Sequence, residues 1–378
     1  MPARPTSPSA SGSTRRLLIA LALPALVLVG CALALPDSRP AAWALLGKGA
    51  VVAAVLVGLQ LCGRRGWLPR ALTRRLTSLV VVLIGASTLV FGALRLAPGD
   101  PVDAILGDQA SAEARAVLAH ALCLDRPLLV QYNDCFWDSV LDGSLGQTFD
   151  VSPRPVIELL AENFPATAEL AWAGMLVAVI IAFPLGLLSA LRQGTWVDHT
   201  ASVFALLGVA VPTFWLGPML LLAFTVAVDW LPSPARTDAP LAALLLPALT
   251  LGTALAGKLT RMVRSSVLEV AREEYVVAAR AKGLPERTVL LKHVLRNALI
   301  PVVTVMGIQF GALLTGAIIT EKVFARPGVG TLLLEAIQQR DYPVVQGTVL
   351  LIASAYVIVN LLTDLLYALI DPRVRLDA

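Results

Sequence analysis

Eight apolar runs, most of them as long as a bilayer's hydrocarbon layer is thick, leave this chain few ways to fold. They cover about Leu17 to Leu35, Ala42 to Cys62, Leu76 to Leu96, Thr167 to Leu191, Thr200 to Val228, Leu241 to Gly257, Ala298 to Thr320 and Gly347 to Ile370. A helix needs about 20 such residues to cross ~30 Å of hydrocarbon. Helices, unlike loops or open sheets, satisfy all their backbone polar groups there. The expectation is an all-α integral membrane protein of eight spans. Composition agrees, with 57% hydrophobic residues, 15% charged residues and a mean hydropathy of +0.76. Soluble domains run nearer a quarter charged.

Loop charge orients the spans. Arg64, Arg65, Arg70, Arg74 and Arg75 cluster ahead of the third run and mark a cytoplasmic segment. Residues 98–163 carry eleven acidic residues against three basic ones, a net charge of −8, and belong outside. Residues 258–296 carry nine Lys or Arg against four Glu, a net charge of +5, and belong inside. Both termini then lie in the cytoplasm. Pro184, Pro212 and Pro218 fall inside predicted spans and should kink them. Residues 1–16, rich in Ser and Pro, read as a disordered tail. Residues 17–70 hold the first two runs and 71–378 the other six. A second reading of the first run is a lipoprotein signal ending at Cys31; an uncleaved helix is the default.

Several kinds of chemistry are absent. The basic residues are not gathered with aromatics, which excludes a nucleic-acid surface. Three His and four Cys show no metal-ligand spacing. His120, His199 and His293 fall in different loops, so no nucleophile–His–carboxylate set is readable. Gly252 to Lys258 has most of a phosphate-binding P-loop pattern, but Leu259 stands where Ser or Thr is required, and the stretch ends an apolar run. Lys48 and Asp364 are ionisable residues inside apolar runs with no evident partner, which disfavours an ion-coupled path. Cys123 and Cys135 lie in the outer segment, where an oxidised pair is allowed. A disulfide is expected there, with two free thiols as the alternative, because spacing alone does not fix geometry.

Charge is concentrated in residues 272–301, between two apolar runs. Residues 264–282 lack Pro and Gly and suit one helix. Gly283 takes positive φ at little cost and should end it. Pro285 fits the first turn of a second helix, with Glu286 near its positive end. Ala278, Ala279 and Ala281 make the first helix thin beside the turn, and Arg280 and Lys282 supply a polar rim. Such a turn suits the groove of another protein. A solvated loop that only fixes topology is the alternative.

This stretch resembles the EAA loop in the membrane subunits of ABC importers, most closely those of the peptide/nickel permease family. The resemblance runs through Tyr275 and Val276, Ala279 to Gly283, Arg296 to Leu299, and Pro301. Val277 stands where the family pattern has a glutamate. Further matching stretches are Ala97 to Pro101, Leu124 to Pro127 with Gln131 and Tyr132, Leu246 to Thr250, Glu321 to Gly330, and Arg340 to Gly347. The likeness covers about Arg74 to the end; the first ~70 residues have no counterpart. It implies a six-helix type I importer core behind two extra helices, with the loop docking on an ATPase through Tyr275, Ala278, Ala279, Arg280, Lys282, Gly283, Leu284, Pro285, Glu286 and Arg287.

The implied partners are a second homologous permease subunit, two ATP-binding subunits holding ATP and Mg, an extracytoplasmic substrate-binding protein, and membrane lipid. The chain itself would be non-catalytic and multi-pass in a bacterial cytoplasmic membrane, passing peptides or similar solutes. Nickel or glutathione import by the same fold, an ATP-independent carrier or channel, and a non-transport scaffold are the alternatives. Pro212, Thr213, Phe214 and Trp215 are candidates for lining the path, against ordinary helix packing.

Overall fold

The computed structural model describes residues 39–64, 70–107, 110–149, 152–232 and 240–370. The run from Leu17, the tail before it, Cys31, Arg65 and the C-terminal residues after 370 lie outside the described residues, as does the side chain of Asp364. The described residues are helical apart from turns, loops and one isolated bridge between Gln147 and Pro155. Helix α1 is Arg39–Arg64 and α2 is Arg70–Leu96. Three short helices follow: α3, Pro101–Leu106; α4, Ala112–Ala121; and α5, residues 128–141, with a π turn over Gln131–Trp137. Then come α6, Val156–Leu191; α7, Trp196–Ala210; α8, Thr213–Ala227; and α9, Pro240–Val270. The chain finishes with α10, Glu274–Ala281; α11, Glu286–Val323; α12, Val329–Gln339; and α13, Tyr342–Ile370.

Five helices are long and apolar enough to cross a membrane, or six if the bent pair α7–α8 counts as one span, and Gly47–Cys62 in α1 is a shorter apolar helix. Several helices outrun the hydropathy-based bounds. Helix α6 has 36 residues, about 54 Å at 1.5 Å per residue, so part of it stands clear of any bilayer. The run from Thr200 to Val228 is not one kinked helix: it turns by 101° between α7 and α8. Val211 is extended (φ −79°, ψ 120°), as the residue before a proline prefers, and Pro212 has no N–H to continue the ladder.

Helix α9 is the centre of the packing. Leu259 and Val263 on it are fully buried among residues of α6 and α11. Its glycines make the close approaches. A Cβ at Gly252 would come within 2.6 Å of the Gly174 carbonyl oxygen on α6, and one at Gly257 would strike that of Ala205 on α7. The P-loop-like stretch is therefore mid-helix, and its glycines serve helix contact.

Helix α5 packs against the end of α2 through Phe91, Tyr132, Phe136 and Trp137, with Phe91 and Tyr132 rings 4.8 Å apart. Buried Gln131 accepts from Arg95 Nε (2.8 Å) and donates to the carbonyls of Arg126 (2.7 Å) and Leu124 (3.2 Å). Cys123 and Cys135 are bonded to each other, with Cα atoms 6.6 Å apart. Lys48 does have partners: its Nζ reaches Asp138 Oδ1 (2.6 Å) and donates to the Asn133 carbonyl (3.0 Å), tying α1 to the outer segment. The sequence pattern missed this because the two are 90 residues apart.

Candidate functional site

The charged loop is built differently from the single helix expected over 264–282. Helix α9 stops at Val270, and the turn tightens through bonds from Arg272 N to Glu269 O and from Glu273 N to Val270 O, both 3.1 Å. Glu273 is extended (φ −65°, ψ 144°), and α10 starts anew. Packing overrides propensity here. Val276 and Ala279 on α10 are buried in one cluster with Val263 and Val267 of α9 and with Val289 and Val294 of α11. A continuous helix would have carried them away from that cluster.

Gly283 ends α10 in the left-handed region (φ +78°), its N–H on the Arg280 carbonyl at 2.9 Å, and a Cβ there would meet open space. Only backbone strain restricts that position. Pro285, extended (φ −64°, ψ 141°), caps α11 from just outside instead of sitting in its first turn. A π turn over Val289–Leu295 and Pro301 follow within α11.

The outer face of the turn is continuous. Every residue from Arg280 to Arg287 is exposed, as are Tyr275, Val277 and Ala278. Exposed apolar side chains here, Val277 (55%), Leu284 (39%) and Leu291 (53%), sit among cations. Of the three alanines expected to thin the helix for a partner, Ala279 instead turns inward into the chain's own core. Ala278 and Ala281 face out with Lys282 and Arg287. Arg280 is not a free rim cation. Its guanidinium pairs with both Glu286 oxygens (2.8 and 3.2 Å) and donates to the Ala271 carbonyl at 3.3 Å, bracing three segments. Tyr275 Oη accepts from Asn297 Nδ2 (2.7 Å), closing the base of the loop.

Above the loop lies a buried carboxylate that sequence reasoning missed. Asp198, in the first turn of α7, accepts from Arg264 Nε and Nη2 (both 2.7 Å), from Gly194 N (3.0 Å) and from the Ser189 hydroxyl. Its side chain is 5% exposed. The signal was an ionisable residue beside an apolar run, obscured because Arg264 also serves as a topology-setting cation. A second buried carboxylate, Glu321 at the far end of α11, takes N–H groups from Gly330 (2.8 Å) and Thr331 (3.2 Å) and the Thr167 hydroxyl from α6. Thr167 in turn accepts from Val329 N (2.8 Å), and Arg326 pairs with Glu169. Side chains at Gly328 or Gly330 would collide with Glu321.

Pro212, Thr213, Phe214 and Trp215 lie at the α7–α8 corner, with Phe214 (60%) and Trp215 (52%) exposed. Among the described residues no group of three or more His, Cys, Asp or Glu is placed to hold a metal ion.

Comparison with known proteins agrees with this architecture. The family described as "Binding-protein-dependent transport system inner membrane component" matches residues 182–376, and the N-terminal region of the same kind of component matches residues 68–171. The di/tripeptide permease DppB of Pseudomonas aeruginosa is 39% identical over 331 residues, spanning 80% of this chain and 98% of its own length. The dipeptide permease DppB of Escherichia coli K12 is 41% identical over 332 residues, at 80% and 97% coverage. The glutathione permease GsiC of Salmonella choleraesuis is 42% identical over 305 residues, again at 80% and 97%. The chain belongs to the binding-protein-dependent inner membrane component family and is a multi-pass permease subunit of an ABC importer.

Proposed function

We propose that this permease imports short peptides or peptide-like solutes across a bacterial cytoplasmic membrane. The named relatives carry dipeptides, tripeptides and glutathione, and all of these share a peptide backbone with terminal charges. In this reading the permease domain spans 71–378, behind an extension at 17–70, and the chain crosses eight times with both ends inside. A second homologous permease completes the pathway, along which the α7–α8 corner is a candidate lining. A substrate-binding protein approaches the outer segments, 98–163 and 321–345. Two separate subunits bind ATP with Mg and hydrolyse it.

One observation carries the coupling role: residues 280–287 are exposed throughout, while α10 directly before them is pinned to the core from inside. A turn held on one face and bare on the other suits a rigid partner's groove. Closure of the ATPase pair on ATP then moves the turn, and the packed helices exchange one discrete arrangement for another. Co-purification with the ATPases tests this. Gly283→Pro cannot adopt φ near +78°, and Ala278→Glu adds bulk and charge on the exposed face. Both should lose the ATPases while remaining folded in membranes. Normal retention by both variants would refute docking here.

A further inference from the structure

Helices α6, α7 and α9 are joined by three close backbone approaches spread along their lengths and, where α6 turns into α7, by one charged clamp. A Cβ at Gly186 on α6 would press on the Thr260 carbonyl oxygen (2.8 Å) and Val263 of α9, and one at Gly208 on α7 on the Thr253 carbonyl oxygen (2.9 Å). The third is Gly257 against Ala205. These contacts fix how near the helices lie, but smooth helix surfaces still rotate and slide. The Asp198–Arg264 pair removes that freedom. Two parallel N–H···O bonds from one planar guanidinium fix angle as well as distance. Gly194 N and Ser189 Oγ fill the remaining lone pairs of the carboxylate, so the turn between α6 and α7 is held too.

Arg264 lies on the same unbroken helix whose last turns carry Val267 and Val270, which belong to the buried cluster that also takes in Val276 and Ala279 of α10, and the Ala271 carbonyl just past that helix accepts from Arg280. Helix α7, held by Asp198, runs from this clamp to the 101° corner at Val211 and Pro212. We infer that the Asp198–Arg264 clamp carries displacement of the coupling turn into α7, and that the motion is released at the Val211–Pro212 corner. Asp198 and Arg264 are thus positioning residues of the transport cycle, remote from the solute and from ATP. This rests on the reading that residues 280–287 dock the ATPases.

Spin labels test it without any transported solute. In the complex with its partner permease and ATPases, Cys62 and Cys31 are replaced by Ser. Labels go on Phe204→Cys (α7) and Glu274→Cys (α10), and in a second sample on Phe204→Cys and Val226→Cys (α8). All three positions are exposed. Distances are read without nucleotide and after trapping with Mg-ATP and vanadate. In the wild type, the 204–274 distance should hold on trapping while the 204–226 distance changes. In D198N and R264Q, the 204–274 distribution should match the wild type without nucleotide and at least double in width on trapping. R264K keeps the charge but loses the fork; its width should fall between, and it decides the matter if the other two fail to assemble. A 204–274 distribution that stays narrow on trapping in the variants overturns the inference. Failure of the wild-type chain to retain ATPases removes the docking reading first, and this inference with it.

Discussion

The two ends of α11 solve opposite problems. At its far end, Glu321 closes a network with Thr167, Gly330 and Thr331 in which every named group is buried or bonded. The neighbouring outer segment is likewise tied by a disulfide, by Arg95 with Gln131, and by Asp341, which accepts from Phe149 N at 2.8 Å. At the other end, the turn after α10 is anchored from within and left bare without. The network around Glu321 closes within the chain; in the proposed reading the turn after α10 is half of an interface. Exposed Val277, Leu284 and Leu291 would be the apolar part of that proposed interface.

The largest effect should come from opening the outer network. Glu321→Ala strands the buried Gly330 N–H, the half-buried Thr331 N–H and the Thr167 hydroxyl, a loss of about 1–3 kcal/mol for each group left fully unsatisfied. Thermal unfolding in detergent should show it clearly, with Glu321→Gln far milder. An equal, small effect of both would remove the contrast between the two ends. Next, replacing Cys123 and Cys135 together by Ser should cost about 2–3 kcal/mol locally, from the freed unfolded segment. Proteolysis of residues 110–149 should then quicken while binding of the ATPases is untouched.

Lys48→Met should cost less, below about 1 kcal/mol, because Asp138 is more than half exposed and water screens the pair. Loosened cross-linking between α1 and α5 would register it; unchanged cross-linking would separate the extension from the outer segment. The smallest effect concerns pH. A hydrogen bond with His120 (2.7 Å) holds the Asp125 carboxyl below its usual range. A depressed carboxyl contributes stability above its unfolded value, near 3.9, and loses it as pH falls through the folded value. Protection of the amides around residues 118–126, corrected for the intrinsic exchange rate at each pH, should therefore fall below about pH 4, and His120→Ala should abolish that dependence.

Much of the fold was legible because hydropathy reports span positions well. It does not report bends, so Thr200 to Val228 read as one span where Pro212 turns the chain by 101°. The Gly283 turn was legible because one residue type suits positive φ. The break at 271–273 was not, since Ala, Glu and Arg favour helix and only the burial of Val276 and Ala279 overrides them. Whether Ala279 faces a partner or its own core is a tertiary fact about an eight-residue helix. The partners of Lys48, Asp198 and Glu321 are far off in sequence, and long-range pairing leaves no local pattern. Their ionisable character inside apolar surroundings was the available sign.

Accessibility of the turn itself tests the central claim most directly. A single cysteine at position 278, with Cys31 and Cys62 replaced by Ser, reports the exposed face without entering the core. In inverted membrane vesicles its reaction with a bulky maleimide should be fast for the permease alone. It should slow at least tenfold once the ATPases are added. An unchanged rate, with the ATPases demonstrably bound, would place their contact elsewhere and contradict the account.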